Sequence, residues 1–412
     1  MLRIAYLLSH PIQYQSPLLR CLAQRREIEL TVFYTSDFSL RSYPDQGFGV
    51  PVEWDVPLLG GYRHEVLPSL LDGTTISFFR PLNRGIFRAL RRGRFDVLWI
   101  HGYATLNSWI AMAAAKALRI PVLLRTDSTL IDHSRGPLKL AVKKIFFAML
   151  RPFAYGVLSV GLRNAEYWQH HLGPGVPLFS IPYSVDNAFF QAHCHAASVT
   201  REDLRHELKL DPQRPVILFA SKLLPRKRCI DLVEAYFELL TRQRAPANPF
   251  PTPYLLIVGD GEERPQIEAR IRKADAEGVR LLGFRNQSEL PRYYDLCDVF
   301  VLPSVHEPWG LVVNEVMNTG RPVVVSDEVG CQPDLVVDGD NGCVFPAGNV
   351  TALADALERL LADPHARRRM GRRSLERIQA FSFEANVQQL VQAFRAAAAH
   401  TSKMHLSNNA IE

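Results

Sequence analysis

The sequence has few cysteines, and none of them are closely paired. Six cysteines occur among 412 residues, and no two are spaced as C-x-x-C; they stand at positions 21, 194, 229, 297, 331 and 343. This spacing argues against a zinc site of the usual C-x-x-C kind and against a disulfide framework. Reduced thiols, as in a cytoplasmic protein, are the simplest interpretation.

Long apolar runs are also missing, so we expect no transmembrane helix. The most apolar stretch, Leu138 to Gly161, is interrupted by four cations at positions 139, 143, 144 and 151. The opening apolar residues are too few for a secretory signal and are followed at once by polar ones. We therefore expect a cytoplasmic protein that is either soluble or bound at the inner face of the membrane.

Acidic residues are outnumbered by basic ones. The 42 Asp and Glu residues face 48 Lys and Arg residues, which gives a formal charge of +6 and a sequence pI of about 9.0. A nucleotide, an anionic lipid or a nucleic acid would each suit that balance. The hydrophobic content of 47% and the charged content of 22% are those of an ordinary globular protein, with length for two or three domains.

One stretch shows the clearest pattern, running from residue 299 to residue 327. Val299 to Leu302 predicts a strand, and a loop with Glu307 follows it. A helix holding Glu315 comes next and ends near Gly320, before another predicted strand. Parallel α/β sheets bind ligands at the carboxyl ends of their strands, and helix N-termini favour phosphate. Two carboxylates near an anion site suit a sugar nucleotide.

The spacing of Glu307 and Glu315 resembles the E-x7-E signature of retaining GT-B glycosyltransferases, often called glycosyltransferase family 4. The resemblance implies an α/β fold with two Rossmann-like domains that face a central cleft, and a C-terminal helix that crosses back to the first domain. We accordingly predict an acceptor-side domain at 1–185 with a helix at about 382–398. A nucleotide-sugar domain is predicted at 186–381, and a disordered tail at 399–412.

A second match follows the predicted strand that ends at residue 220. The run Ser221 to Arg228 resembles the family's G-R-L-x-x-x-K-G loop, with Lys222 in place of the arginine and Lys227 matching the lysine. Cations beside a helix N-terminus can hold a diphosphate without metal, and either Arg226 or Arg228 would compensate for the missing arginine fork. The resemblance also places Phe284 and Arg285 beside the nucleobase.

The first half matches the family more loosely. His10 and Gln13 occupy the first loop, where many members carry a glycine pair, and they either face the cleft or only shape a turn. His101 matches a histidine that the family usually keeps, whereas Asp127 stands where another histidine is often found. We predict that these four residues border the acceptor. The competing interpretation is that they are structural residues at strand ends.

Three further stretches leave their roles open. The long irregular stretch 36–68 is either an acceptor-side surface or a packed excursion of the chain, that is, a loop without a direct part in the chemistry. Arg80 to Arg94 predicts a basic amphipathic helix, which is either a solvated face or a surface for anionic lipid. Leu138 to Leu150 predicts a helix that either lies on a membrane or packs in the core with its lysines reaching solvent.

The resemblance assigns roles to the site residues. Glu315 would accept from ribose hydroxyls, and Glu307 would contact the donor sugar and stabilise developing positive charge. Lys222 and Lys227 would neutralise the leaving diphosphate; donor contacts would also come from Ser221, Arg226, Gly310, Leu311 and Val312. No metal or other cofactor is expected.

The implied reaction is retaining transfer of a sugar from a nucleotide sugar, with UDP favoured. The acceptor would be a hydroxyl of a glycan, such as a growing surface polysaccharide, a lipid-linked saccharide or a small molecule. The alternatives are a nucleotide-sugar epimerase on the same fold and a non-catalytic sugar-nucleotide-binding partner. A nucleic-acid partner would rest only on the arginine clusters and is not expected.

Overall fold

The computed structural model describes residues 1–45, 47–71, 76–131, 136–243 and 250–409, with side chains to residue 400. The chain divides into two units. The first comprises Met1–Tyr43, Pro57–Tyr183 and Phe383–Glu412, and the second comprises Pro44–Val56 and Ser184–Ser382. The predicted boundary near residue 186 thus falls at residue 184 in the structure. The second unit also includes a segment that sequence analysis left within the first.

The first unit is built on a seven-stranded sheet in which all neighbouring strands are parallel. Its strands are β1 (Leu2–Leu8), β2 (Ile28–Tyr34), β5 (Arg63–Val66), β8 (Val97–His101), β9 (Val122–Thr126), β10 (Ala154–Ser159) and β11 (Leu178–Ser180). Their order in the sheet is β11-β10-β9-β8-β1-β2-β5. Its helices are α1 (Ser16–Ala23), α2 (Ile86–Gly93), α3 (Leu106–Ala117), α4 (Pro137–Leu150), α5 (Leu162–Leu172) and α15 (Phe383–Asn409). Short pairs β3 (Tyr43–Asp45) with β4 (Val50–Val52) and β6 (Ser69–Leu71) with β7 (Leu82–Asn83) complete the strands of the first 183 residues.

The second unit is built on a six-stranded parallel sheet. Its strands are β12 (Val216–Ala220), β13 (Tyr254–Val258), β14 (Val279–Gly283), β15 (Val299–Leu302), β16 (Val323–Ser326) and β17 (Gly342–Phe345). Their order in the sheet is β14-β13-β12-β15-β16-β17. Its helices are α6 (Asn187–Val199), α7 (Arg201–Glu207), α8 (Cys229–Gln243), α9 (Arg264–Lys273), α10 (Leu290–Leu296), α11 (Leu311–Met317), α12 (Gln332–Leu335), α13 (Val350–Ala362) and α14 (Pro364–Ile378). The predicted Rossmann-like class is confirmed for both units.

Buried apolar strands explain why these sheets form. The central strands β12, β13 and β15 are buried at every residue, as expected for parallel strands covered by helices on both faces. Apolar side chains of α8 and α13 pack on one face of this sheet. In the first unit, α1 and α15 cover one face of the sheet, and α2, α3 and α5 cover the other.

The predicted basic helix at 80–94 is shorter than expected. The helix α2 begins only at Ile86, because Pro81 cannot donate a backbone hydrogen bond and Gly85 adopts a φ of +95°. Arg80 and Arg84 therefore lie outside it. Both signals are present in the sequence, and they outweigh the helical spacing of the apolar residues.

The predicted disordered tail also differs from the structure. The helix α15 runs from Phe383 to Asn409, well past the predicted end at about 398, and residues 410–412 lie outside the described part. Neither glycine nor proline interrupts residues 399–409, and extending an existing helix is far easier than starting one. None of the described helices combines the length and the apolar character that spanning a bilayer requires.

Candidate active site

The candidate site of the second unit lies where its strand order reverses. The strand β12 has β13 on one side and β15 on the other, so the chain leaves the sheet in opposite directions after these strands. Such a reversal opens a crevice at the carboxyl ends of the strands, which is where open α/β sheets bind ligands. The loop 221–228 follows β12, and the loop 303–310 follows β15. Both loops hold predicted site residues.

A glycine turn fixes the loop after β12. Gly259 and Gly261 flank Asp260, whose carbonyl oxygen accepts from the N–H of Leu223 at 2.8 Å. A Cβ at Gly259 would lie 1.9 Å from the Ser221 carbonyl oxygen, so only glycine allows this approach. This Gly-Asp-Gly turn therefore positions the cationic loop.

Glu307 lies at the centre of a buried group of charges. Its side chain is 8% exposed, and its carboxylate forms ion pairs with the Lys227 ammonium and with Arg226 Nη1, the latter at 3.1 Å. Gly330 donates its N–H to the Glu307 carbonyl oxygen at 2.8 Å, which fixes the backbone. Burial lowers the pKa of Lys227, and the Glu307 carboxylate opposes that shift. The structure thus brings Glu307, Lys227 and Arg226 together.

Glu315 lies on α11 and faces a cavity of about 110 Å³. The Tyr294 hydroxyl donates to its carboxylate at 2.6 Å. Burial raises the pKa of Glu315 to about 7, and the hydrogen bond from Tyr294 opposes this shift. A carboxyl that titrates near neutral pH in a cavity is typical of a functional position. Tyr294 was missed by sequence analysis, since it lies 21 positions earlier on α10.

The same cavity is lined by four other predicted donor residues. Ser221, Phe284, Arg285 and Val312 all contribute to its walls. Arg285 Nη1 lies 3.7 Å from a Glu289 carboxylate oxygen, so this guanidinium forms an ion pair where it lines the cavity. Gly310 precedes α11 with a φ of +92°, and Leu311 is the first helical residue. The structure thus gathers the predicted base, ribose and phosphate contacts around one sheet edge.

Lys222 has a partner that sequence analysis did not foresee. Its ammonium lies 2.7 Å from the Asp45 carboxylate, and it also lies 4.6 Å from the centre of the Phe48 ring. Burial acts to raise the pKa of Asp45, but the hydrogen bonds from Lys222 and from the N–H groups of Phe48 and Gly47 outweigh it and lower that pKa. Part of the stretch interpreted as acceptor-side surface or packed excursion therefore lies against the donor candidates.

The acceptor candidates of the first unit follow β1, β8 and β9, at a second strand-order reversal. His10 shares a hydrogen bond with Ser9 through Nδ1 at 2.9 Å and packs on Phe38, and burial lowers its pKa to about 4. Gln13 is half-buried in the turn that leads to α1. Both residues thus lie at the strand edge where the sequence placed them.

His101 is held between two tyrosine hydroxyls. Its Nδ1 lies 3.0 Å from the Tyr6 hydroxyl and its Nε2 lies 3.5 Å from the Tyr183 hydroxyl. Burial, with the nearby Arg125 cation, lowers the pKa of His101 to about 3, so the ring is neutral at pH 7. Arg125 was not predicted as a site residue, although the residue is only 1% exposed and its guanidinium packs on the Tyr183 ring. Asp127, two residues later, is half-buried.

The chain is similar in sequence to known proteins. The sequence profile of the family described as glycosyl transferases group 1 matches residues 200–377. A D-inositol 3-phosphate glycosyltransferase of Streptomyces bingchenggensis is 31% identical over 337 residues, or 79% of this chain and 70% of that protein. The chain belongs to the group 1 glycosyltransferase family. An alpha-D-kanosaminyltransferase of Streptomyces kanamyceticus is 33% identical over 198 residues, or 48% of each chain.

The group 1 assignment extends to the fold. The structure of Anabaena HepE in complex with UDP and glucose superposes with a TM-score of 0.68 at 18% identity, over 96% of this chain and all of that one. Together with the two parallel sheets, this confirms the GT-B class. The chain spans about half the length of the first curated relatives that it matches.

Proposed function

We propose that this chain is a retaining glycosyltransferase that moves a sugar from a nucleotide sugar to a hydroxyl group. The observation that carries the proposal is the placement of Glu315 in a cavity lined by Phe284 and Ser221, at the reversal of strand order. Family membership supports the same reaction class. UDP is the favoured nucleotide, since HepE is described in complex with UDP and glucose.

The donor would bind along the edge from Glu315 to the cationic loop. The Glu315 carboxylate accepts from ribose hydroxyls, and the base lies beside Phe284 and Arg285. Lys222 neutralises the diphosphate, with Ser221 and the backbone N–H groups at Gly310, Leu311 and Val312 as further donors. Cations and N–H groups can hold a diphosphate unaided, so we propose that no divalent metal is required.

Glu307 and its cations would carry the chemistry. As the bond between sugar and diphosphate breaks, positive charge develops on the sugar and negative charge on the leaving group. The Glu307 carboxylate is fixed by Lys227 and Arg226, so it needs no rearrangement to stabilise the sugar. Lys227, paired with Glu307, would also neutralise the leaving diphosphate. Such charges favour the transition state over the ground state, which is what raises the rate.

The candidate contacts for the acceptor hydroxyl all belong to the first unit: His10, Gln13, His101 and Asp127. Because burial keeps both histidines neutral at pH 7, they offer hydrogen bonds rather than positive charge. We propose that the leaving phosphate takes the acceptor proton on the same face of the sugar, which retains the anomeric configuration.

The direct test is a reaction with UDP-, GDP- and ADP-sugars and a panel of saccharide acceptors in EDTA, followed by NMR of the product's anomeric configuration. We expect one nucleotide to support transfer with retention, and Glu307→Gln to lose most of the activity. Glu376→Gln, on the surface of α14, is the matched control. Inversion, a need for added metal, or an isomerised donor without acceptor product would contradict the proposal; the last would identify an epimerase.

We also propose that α4 contacts an anionic membrane surface. Four apolar side chains at helical spacing form an exposed stripe on α4, with exposed fractions between 59% and 77%: Leu138, Val142, Ile145 and Met149. Lys139 and Lys144 stand on the two sides of this α4 stripe. An apolar stripe flanked by cations is what an interfacial helix presents to anionic lipid.

Vesicle sedimentation tests the α4 stripe. We expect binding to phosphatidylglycerol vesicles to fall about tenfold or more when Ile145 and Met149 are both replaced by Glu, because burial of the apolar side chains is lost and negative charge is added. Val199→Glu changes an apolar side chain that is 82% exposed on α6 and is the control. Equal binding by wild type and the α4 variant would overturn the membrane proposal without touching the transferase proposal.

A further inference from the structure

A short segment from the first part of the sequence is attached to the second unit at both ends. We call Pro44–Val56 the strap. At its far end, Asn286 Nδ2 donates to the Glu53 carbonyl oxygen at 2.6 Å, and the N–H of Ser288 donates to the Asp55 carboxylate at 3.2 Å. Both contacts lie just after Arg285, at the rim of the donor cavity. The strap is therefore anchored beside the proposed base pocket.

Near the start of the strap, the Asp45 side chain contacts Lys222, the cation proposed to bind the diphosphate. The Asp45 carboxylate accepts from Lys222 Nζ at 2.7 Å and from the N–H groups of Gly47 and Phe48 at 2.8 and 3.0 Å. A Cβ at Gly47 would come within 2.6 Å of Lys222 Cδ, so the strap backbone wraps closely around the lysine. The Asp45 carboxylate is thus paired with the same cation, Lys222, that the donor's diphosphate would need.

Phe48 covers the other part of the same site. Its ring packs edge-to-face on Phe284, with 4.8 Å between the ring centres, and it lines the cavity that holds Glu315. That cavity measures about 110 Å³, whereas sites for ligands of this size usually measure about 300–1,000 Å³. With Phe48 in this position, the cavity is therefore smaller than the usual site for a ligand of that size.

We propose that the strap is a donor-operated latch, in which Asp45 holds the place of the diphosphate and Phe48 holds the place of the base. The inference rests on the proposed function, because it takes the cavity and Lys222 as the donor site. Donor binding exchanges one anion for another on Lys222 and moves Phe48 off Phe284. Lys222, whose side chain is 32% exposed, then has an anionic partner in both states.

Asp45→Asn tests the phosphate side of the latch. Asparagine keeps the acceptor for the N–H groups of Gly47 and Phe48 but loses the charge that competes for Lys222. In calorimetric titrations in EDTA, we expect UDP and pyrophosphate to bind about fivefold more tightly, which is the size of a partly exposed ion pair. Uridine should bind as to the wild type. Glu53→Gln is the matched control, because the side chain of Glu53 is exposed and its anchoring contact is made by the backbone.

Phe48→Ala tests the base side of the latch. Removal of the ring enlarges the cavity and breaks the contact with Phe284, so uridine and UDP should bind roughly two- to tenfold more tightly. Pyrophosphate should bind as to the wild type. Phe48→Tyr keeps the ring and should restore wild-type affinity. Thermal melting of each variant verifies that it is folded.

The outcomes separate the latch from the proposed function. If the wild type binds a nucleotide and both variants bind it equally well or more weakly, the latch is wrong and the donor site stands. If neither the wild type nor any folded variant binds a nucleotide, the donor site is wrong and the latch falls with it. Tighter binding by Asp45→Asn and Phe48→Ala, with the opposite ligand dependence given above, supports the latch.

Discussion

Single carboxylates at this site have unusual environments, and Glu315 has the most informative one. Burial raises its pKa from 4.5 to about 7, so the folded state holds a proton there that the unfolded state has released. Between these two values, the free energy of unfolding falls as pH rises, and it stays lower above pH 7. At pH 8, the buried Glu315 carboxylate therefore lowers the free energy of unfolding of the ligand-free protein by about 3 kcal/mol.

Glu315→Gln removes that cost, because glutamine has no charge to bury and still accepts from Tyr294. We expect the variant to exceed the wild type in free energy of unfolding by about 2–3 kcal/mol at pH 8 and by much less at pH 5. Urea denaturation at the two pH values measures the difference, with Glu376→Gln as the reference. A difference that is the same at pH 5 and pH 8 would rule out the raised pKa.

The buried pair of Glu307 and Lys227 makes a second prediction at this scale. Glu307→Gln leaves two neighbouring cations without their carboxylate, which should cost about 3–5 kcal/mol in the free energy of unfolding. Lys227→Met should cost less, because Glu307 keeps Arg226. The double variant should cost less than the sum of the two single variants. Additive losses in urea denaturation would show that the two side chains are not coupled.

At the scale of single elements, the turn after β13 controls the cationic loop. Gly259 has a φ of +133°, and a Cβ there would strike the Ser221 carbonyl oxygen. Gly259→Ala should therefore lower the free energy of unfolding by about 3 kcal/mol and weaken nucleotide binding. Gly60→Ala, where nothing lies within 4 Å of the added Cβ, should change stability by less than about 0.5 kcal/mol. Equal melting temperatures for the two variants would contradict this account.

Sequence patterns were most informative for buried strands and for the site residues that follow a strand closely in the sequence. The predicted strand at 299–302 coincides with β15, and the strand predicted to end at residue 220 ends there as β12, since apolar runs between turn residues are typical of parallel sheets. Glu307 and Lys227 could be named because each follows a recognisable strand. Their assigned roles stay predictions.

Contacts distant in sequence could not be predicted in the same way. Asp45 and Lys222 are 177 residues apart, and no local pattern marks Asp45 as the partner of that lysine. The pairing arises only when the strap leaves the first unit and joins the second. The same holds for Tyr294 and Glu315, which meet because α10 and α11 both flank the cavity.

At the scale of the whole molecule, the first unit is completed by the end of the chain. Apolar residues of α15 pack in the core of that unit: Phe383, Val387, Leu390, Val391 and Phe394. Burial of these five side chains is worth about 10 kcal/mol, which matches the full stability of a typical domain.

A chain that ends at residue 382 should therefore lose the folded first unit, whereas a chain that ends at residue 400 should keep it. Three of the five tryptophans lie in the first unit, at positions 99, 109 and 168, so tryptophan emission reports on it directly. We expect a red shift for the shorter chain alone. Native emission from the chain that ends at residue 382 would show that α15 is dispensable.

The central claim is that the second unit holds a nucleotide donor with Glu315 on its ribose. The most direct test is thermal melting of wild type and Glu315→Ala with UDP, GDP and ADP in EDTA. We predict that one nucleotide, UDP in the first place, raises the melting temperature of the wild type by roughly 5–10 °C at saturation and leaves the variant nearly unchanged. If no nucleotide shifts the wild type, or if the variant shifts equally, the donor site lies elsewhere.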